Sequence, residues 1–198
     1  PTFLGTDQVA LNLQDPSMAA DNFKNASTAK RGGWKSLNYQ QLAEAFRHGV
    51  ELNPQFGFIN TDTADLSAFE ASGGKLLGWQ GTNDEVIPAQ GVMQYYDSVV
   101  RKMGSLQRVQ DFYRYYIVPG NGHHSPNGTA NPQANPPMFK QTQMYDLLVE
   151  WVENGVAPGR VDLESPKVPK ISQPACLYPQ KAVYVNGDPK LAASYQCH

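Results

Sequence analysis

The spacing of hydrophobic positions changes along this chain, and the changes mark its elements. In residues 38–50 (NYQQLAEAFRHGV) Leu42, Ala45, Phe46 and Val50 recur at the three- and four-residue spacing of one helix face, with Asn38 placed to cap it. Around that helix, the first 66 residues hold short apolar clusters among Asn, Gln, Asp and Ser. They predict loops and short helices laid over a surface, with no independent core.

From Leu66 the pattern tightens. Residues 65–70 predict a short helix stopped at Gly73-Gly74. The run KLLGWQ (75–80), bounded by glycines, predicts a buried strand feeding the loop Gly81-Thr82-Asn83-Asp84. Pro88 opens a helix reaching about Met103, with Val92, Tyr95, Tyr96 and Val99 on its apolar side. Residues 109–118 (VQDFYRYYIV), dense in β-branched and aromatic side chains, predict a second strand ended by Pro119-Gly120-Asn121-Gly122. After a polar loop over 125–137, residues 141–152 predict a helix with Met144, Leu147, Leu148 and Trp151 inward, stopped by Asn154-Gly155. Strand, loop, helix, twice over, implies parallel strands with right-handed crossovers: the α/β class. The tail from Pro158 is Pro-rich, with a strand-like stretch at 181–185.

Composition narrows the class without naming it. A chain of 198 residues, 40% hydrophobic and 11% aromatic, fits a folded globular protein. A net charge of −2 and the absence of a Lys/Arg run give no electrostatic reason to expect nucleic acid or an anionic membrane. No stretch of about 18 apolar residues, the length needed to span a bilayer, occurs in the sequence. The opening Pro-Thr-Phe, without an initiator Met or signal peptide, is expected of a processed product or a piece of a longer chain. Cys176 and Cys197 are either two buried thiols or a disulfide, whose loop of about 20 residues would remove roughly 3 kcal/mol of unfolded-state entropy. Asn25 and Asn127 open N-x-S/T triplets that would be glycosylated if a eukaryote secreted the chain. Cysteines and triplets together lean extracellular, or periplasmic in a bacterium.

Candidate chemistry gathers at the strand exits, where open parallel sheets place their sites. Asp84 follows the first strand; His123 and His124 follow the second. A carboxylate that accepts from one imidazole nitrogen fixes the tautomer and leaves the other nitrogen to take a proton from a nucleophile. On position alone, Asp84 could equally cap a turn and His123 be an exposed loop residue. A metal site on the two histidines lacks any supporting spacing. His48 and His198 have no constellation. No G-x-S-x-G is present, and Ser125, wedged before Pro126, is a poor nucleophile.

Several ordered stretches resemble the C-terminal part of the tannase and feruloyl esterase family, from about residue 58 to the end. They are Asp65-Leu66-Ser67-Ala68-Phe69 with Gly73-Gly74-Lys75-Leu76-Leu77, Asp84-Glu85-Val86-Ile87-Pro88, and Val118-Pro119-Gly120-Asn121-Gly122-His123. The run from Leu148 to Pro158 and Cys176-Leu177-Tyr178-Pro179-Gln180 up to Cys197 match as well. The resemblance implies the C-terminal part of an α/β-hydrolase fold with the end of an inserted lid domain. Residues 1–57 would close the lid, 58–157 would be the core segment, and 158–198 a C-terminal extension with the disulfide. It implies Asp84 as triad acid, His123 as triad base, and substrates that are esters of aromatic acids. No cofactor is implied for this chain, with calcium expected only in the missing part of the lid. Two departures stand out: the family's Cys-Ser-x-Gly-Gly stretch is absent, and His124 stands where members carry a cysteine.

Two functions follow as expectations. In the first, the chain is the acid–base part of a serine esterase whose serine lies on a separate or missing N-terminal chain. In the second, it is a non-catalytic fragment that binds aromatic ligands. Trp34, Phe56 and Phe58 could line such a site, though core packing is the plainer role for each.

Overall fold

The computed structural model describes residues 2–20, 32–123, 131 and 133–198, which fall into two compact units, Pro1–Asp62 and Thr63–His198. Asn25, Asn127, His124 and Ser125 lie outside the described residues.

The first unit is helical. Helix α1 (Thr2–Leu13) is followed by 3₁₀ turns at Pro16–Met18 and Gly33–Ser36, helix α2 (Tyr39–Glu51), helix α3 (Asn53–Phe56) and a 3₁₀ turn at Gly57–Ile59. The expected cap is present: Asn38 accepts from the Gln41 amide while the Gln41 side chain accepts from the Asn38 amide, each at 2.9 Å. Helix α1 was not legible as an element, and it alters the reading of this segment. Thr6, Val9, Ala10, Asn12, Ala19 and Ala45 are buried, so a small core exists. It is built from small side chains because the helices lie close: a Cβ on Gly49 would meet the Asn12 amide at 2.6 Å. The expected apolar face of α2 is buried only at Ala45, since Phe46 and Val50 remain exposed.

The second unit is a parallel strand pair between helices. After α4 (Ser67–Ala71), strand β1 (Leu76–Gly81) leads through α5 (Ala89–Met103) and α6 (Leu106–Gln110) to β2 (Tyr113–Val118). The strands pair in parallel from Leu76↔Tyr113 to Gly81↔Val118. Alternation along β2 sorts its side chains between two layers. Tyr113 and Tyr115 join Tyr96 and Val99 of α5, where the Tyr96 and Tyr113 rings meet edge-on at 4.9 Å. Tyr116 and Val118 turn the other way, onto Phe139, Met144 and Leu147. Met144 and Leu147 lie on α7 (Gln143–Asn154), whose buried Trp151 carries Arg114 over its ring at 5.4 Å. Helices on both faces of parallel strands make this an α/β protein.

Two expectations are corrected here. The strand expected over 109–118 begins only at Tyr113, because Ser105 accepts from the Arg108 amide at 3.2 Å and caps a helical turn through Gln110. Strand β1 is half-exposed rather than buried. Among the described residues it pairs only with β2, which leaves Leu76 at 37% and Trp79 at 39% exposure.

The tail forms two antiparallel pairs, β3 (Val161–Glu164) with β4 (Ser172–Ala175) and β5 (Ala182–Tyr184) with β6 (Tyr195–Cys197). The Cys176–Cys197 disulfide, with Cα atoms 5.6 Å apart, ties β6 to the segment after β4. That segment also docks on β2, where the Tyr178 amide donates to the Tyr115 carbonyl at 2.8 Å.

Candidate active site

The exits of β1 and β2 are stitched together. The Thr82 amide donates to the Val118 carbonyl at 3.1 Å, the Asn83 amide to the Asn121 carbonyl at 3.0 Å, and the Gly120 amide to Thr82 Oγ1 at 3.0 Å. Gly120 sits at φ +79°, a left-handed turn that glycine adopts without steric cost. Asn121 is buried, and its side-chain amide donates to the carbonyls of Pro137 at 3.0 Å and Pro119 at 3.3 Å. Glycine is needed at position 81 for space: a Cβ there would lie 2.1 Å from the Asn121 carbonyl oxygen.

This stitching brings the two candidate residues into contact. His123 Nδ1 lies 3.0 Å from Asp84 Oδ2, with the imidazole one-third exposed and the carboxylate 8% exposed. The carboxylate has a full set of donors. Oδ1 accepts from the amides of Val86 and Ile87, each at 2.8 Å, and Oδ2 accepts from Gln80 Nε2 at 2.8 Å as well as from His123. Burial, the largest single influence, pushes the Asp84 pKa up. The bonds from Ile87, Val86, His123 and Gln80 together outweigh it and hold the carboxyl at about 2. It is therefore ionised across the physiological range. The His123 amide also faces Glu85 Oε2 at a long 3.4 Å.

An ionised, buried carboxylate on Nδ1 selects the tautomer with the proton on that nitrogen and stabilises the imidazolium. Such an arrangement can orient an imidazole for general-base chemistry.

The other candidates lie elsewhere. Trp34 helps line a cavity of about 770 Å³ in the first unit, with Tyr39, Leu42 and Phe46. Phe56 is half-buried, but Phe58 is 83% exposed and so is not a core residue. His48 lies on α2, and His198 Nε2 is 3.3 Å from Gln196 Oε1. Among the described residues no group of three or more His, Cys, Asp or Glu could hold a metal ion, and none of the helices is long and apolar enough to cross a membrane.

Sequence reasoning missed Gln80 and the Gly81–Asn121 approach. The one signal for Gln80 was a polar side chain near the end of an otherwise apolar strand.

Comparison with known proteins places the chain in a family. The profile of the family described as "Tannase and feruloyl esterase" matches residues 13–198. An uncharacterized esterase of Xanthomonas campestris pv. campestris is 33% identical over 180 residues, covering 79% of this chain and 31% of that protein. A tannase of Aspergillus oryzae is 30% identical over 135 residues, covering 64% of this chain and 22% of its own length. Among solved structures, tannin acyl hydrolase from Aspergillus niger superposes with a TM-score of 0.74 at 25% identity, over 99% of this chain and 33% of that one. The chain thus spans about a third or less of the length of these relatives. Each match is to a portion of one longer sequence, which lends no support to a separate companion chain. With the profile running over nearly all of its length, the chain belongs to the tannase and feruloyl esterase family.

Proposed function

We propose that this chain supplies the acid and base of a carboxylic ester hydrolase, Asp84 and His123, and that the nucleophilic serine comes from the part of the family's length that it does not span. The observation that carries this reading is the 3.0 Å contact between His123 Nδ1 and a buried carboxylate with four donors. The serine hydroxyl attacks the ester carbonyl as His123 Nε2 takes its proton. The imidazolium, stabilised by Asp84, then gives that proton to the departing alcohol. Water repeats the sequence on the acyl-enzyme, releasing the acid and restoring the serine.

The family's description supports esters of aromatic acids, such as gallates and ferulates, as the substrate class. In this reading the second unit is part of an α/β-hydrolase core and residues 1–57 close an inserted lid. The Cys176–Cys197 disulfide fits an oxidising compartment, as in a secreted protein.

The test is hydrolysis of methyl ferulate and methyl gallate by the protein as its source makes it, beside its His123→Ala variant. A loss of at least about a thousandfold in kcat is expected. An unchanged rate would sink the reading and favour a non-catalytic role in binding aromatic ligands.

A further inference from the structure

Gln80 occupies the penultimate position of β1, half-buried, four residues before Asp84. One nitrogen of its side chain makes two bonds: Nε2 donates to Asp84 Oδ2 at 2.8 Å and to the Ile87 carbonyl at 3.1 Å. Both partners are acceptors, so the amide can face them only with its nitrogen, and the two bonds use both of that nitrogen's protons. The remaining donors to Asp84 differ in kind. Val86 and Ile87 belong to the loop that Asp84 itself begins, and His123 is the group to be oriented. Gln80 alone ties the carboxylate to a paired strand. It also closes a ring, since Ile87 donates its amide to Asp84 Oδ1 and accepts from Gln80 at its carbonyl.

We propose that Gln80 is a positioning residue for the acid–base pair: its amide nitrogen holds Asp84 Oδ2, and thereby the His123 imidazole, in register with β1. This rests on the triad reading above. Oδ2 is the oxygen that both Gln80 and His123 address, so its position sets the direction of the imidazole. Without Gln80, Oδ2 keeps the His123 contact and the carboxylate is otherwise held only through Oδ1, by the amides of Val86 and Ile87 from its own loop.

The experiment uses the same protein and substrates with two variants of similar bulk. Gln80→Leu removes both donors, and kcat should fall about tenfold, as for one bond to a charged group, with KM changed less than about twofold. Gln80→Glu places a second carboxylate on Oδ2, and such pairs hold a shared proton. That proton restores one donor. The ratio of Gln80→Glu to wild-type kcat should therefore rise as pH is lowered from about 8 to about 5, whereas the Gln80→Leu ratio stays flat. Thermal melts of each variant across the same pH range are read beside kcat: a ratio that follows protonation while the melting temperature relative to wild type stays flat marks positioning rather than a loss of structure. Gln80→Leu within twofold of wild type, an effect confined to KM, or a flat Gln80→Glu ratio would each overturn the proposal. His123→Ala separates the two claims. If that variant is inactive while the Gln80 variants match wild type, only the positioning role fails. If it is fully active, the triad reading fails and takes the positioning role with it.

Discussion

Gly81 and Asn121 meet where the two parallel strands end, and the Asn121 carbonyl oxygen occupies the space that a side chain on Gly81 would need. The carbonyl is held on its other side by the Asn83 amide at 3.0 Å. The gap between Asp84 and His123 is therefore set by backbone contact between their loops.

Gly81→Ala should push the exits apart. The expected cost is about 1–3 kcal/mol of stability, as for overpacking elsewhere, with a clear fall in ester hydrolysis. Gly78→Ala on the same strand is the control, because its Cβ would meet Tyr115 Cδ2 at an ordinary 3.5 Å. Thermal melts and kcat for both variants check this. Equal behaviour of the two would contradict the steric account.

Asp84 should make the fold sensitive to acid. Its folded pKa of about 2 lies below the unfolded value of about 3.9, so the ionised group stabilises the native state above the unfolded value. That contribution is lost as pH falls from about 4 through about 2. Asp84→Asn should flatten stability across this window while lowering kcat on the order of 10⁴-fold at neutral pH. Denaturant melts at stepped pH provide the measurement, and identical pH profiles for the two proteins would refute it.

The Cys176–Cys197 bond, across a sequence separation of 21, should contribute about 3 kcal/mol through the unfolded chain. Calorimetry with and without reductant, alongside a double Cys→Ser variant, reads this directly. Reduction should lower the melting temperature of the native protein and leave the double variant unaffected.

What was legible in the sequence was local. The aromatic and β-branched residues of 113–118, the apolar side of α5 carrying Tyr96 and Val99, and the chain stop at Asn154-Gly155 each announce their element through a period or a turn. The start of β2 did not, because VQDF shares its composition with the strand while the Ser105 cap decides the conformation. Helix α1 escaped because its apolar and polar residues show little sidedness. Strands β3 and β4 are four residues each, and Pro174 sits inside β4. At the site, the order of Asp84 and His123 and their meeting at neighbouring strand exits could be expected, but not what holds that contact. The contact depends on the long-range approach of Gly81 to Asn121, and on Gln80, which no spacing rule singles out.

All four donors to the Asp84 carboxylate arise between Gln80 and His123, along one β–α–β crossover. The Asp84–His123 pair is thus a cassette, carried as a block by one continuous stretch of polypeptide. Insertions, deletions or fusions outside that stretch can reshape whatever surrounds the pair without disturbing its internal wiring. A single-residue insertion inside β2 would change the strand register by one and disconnect it.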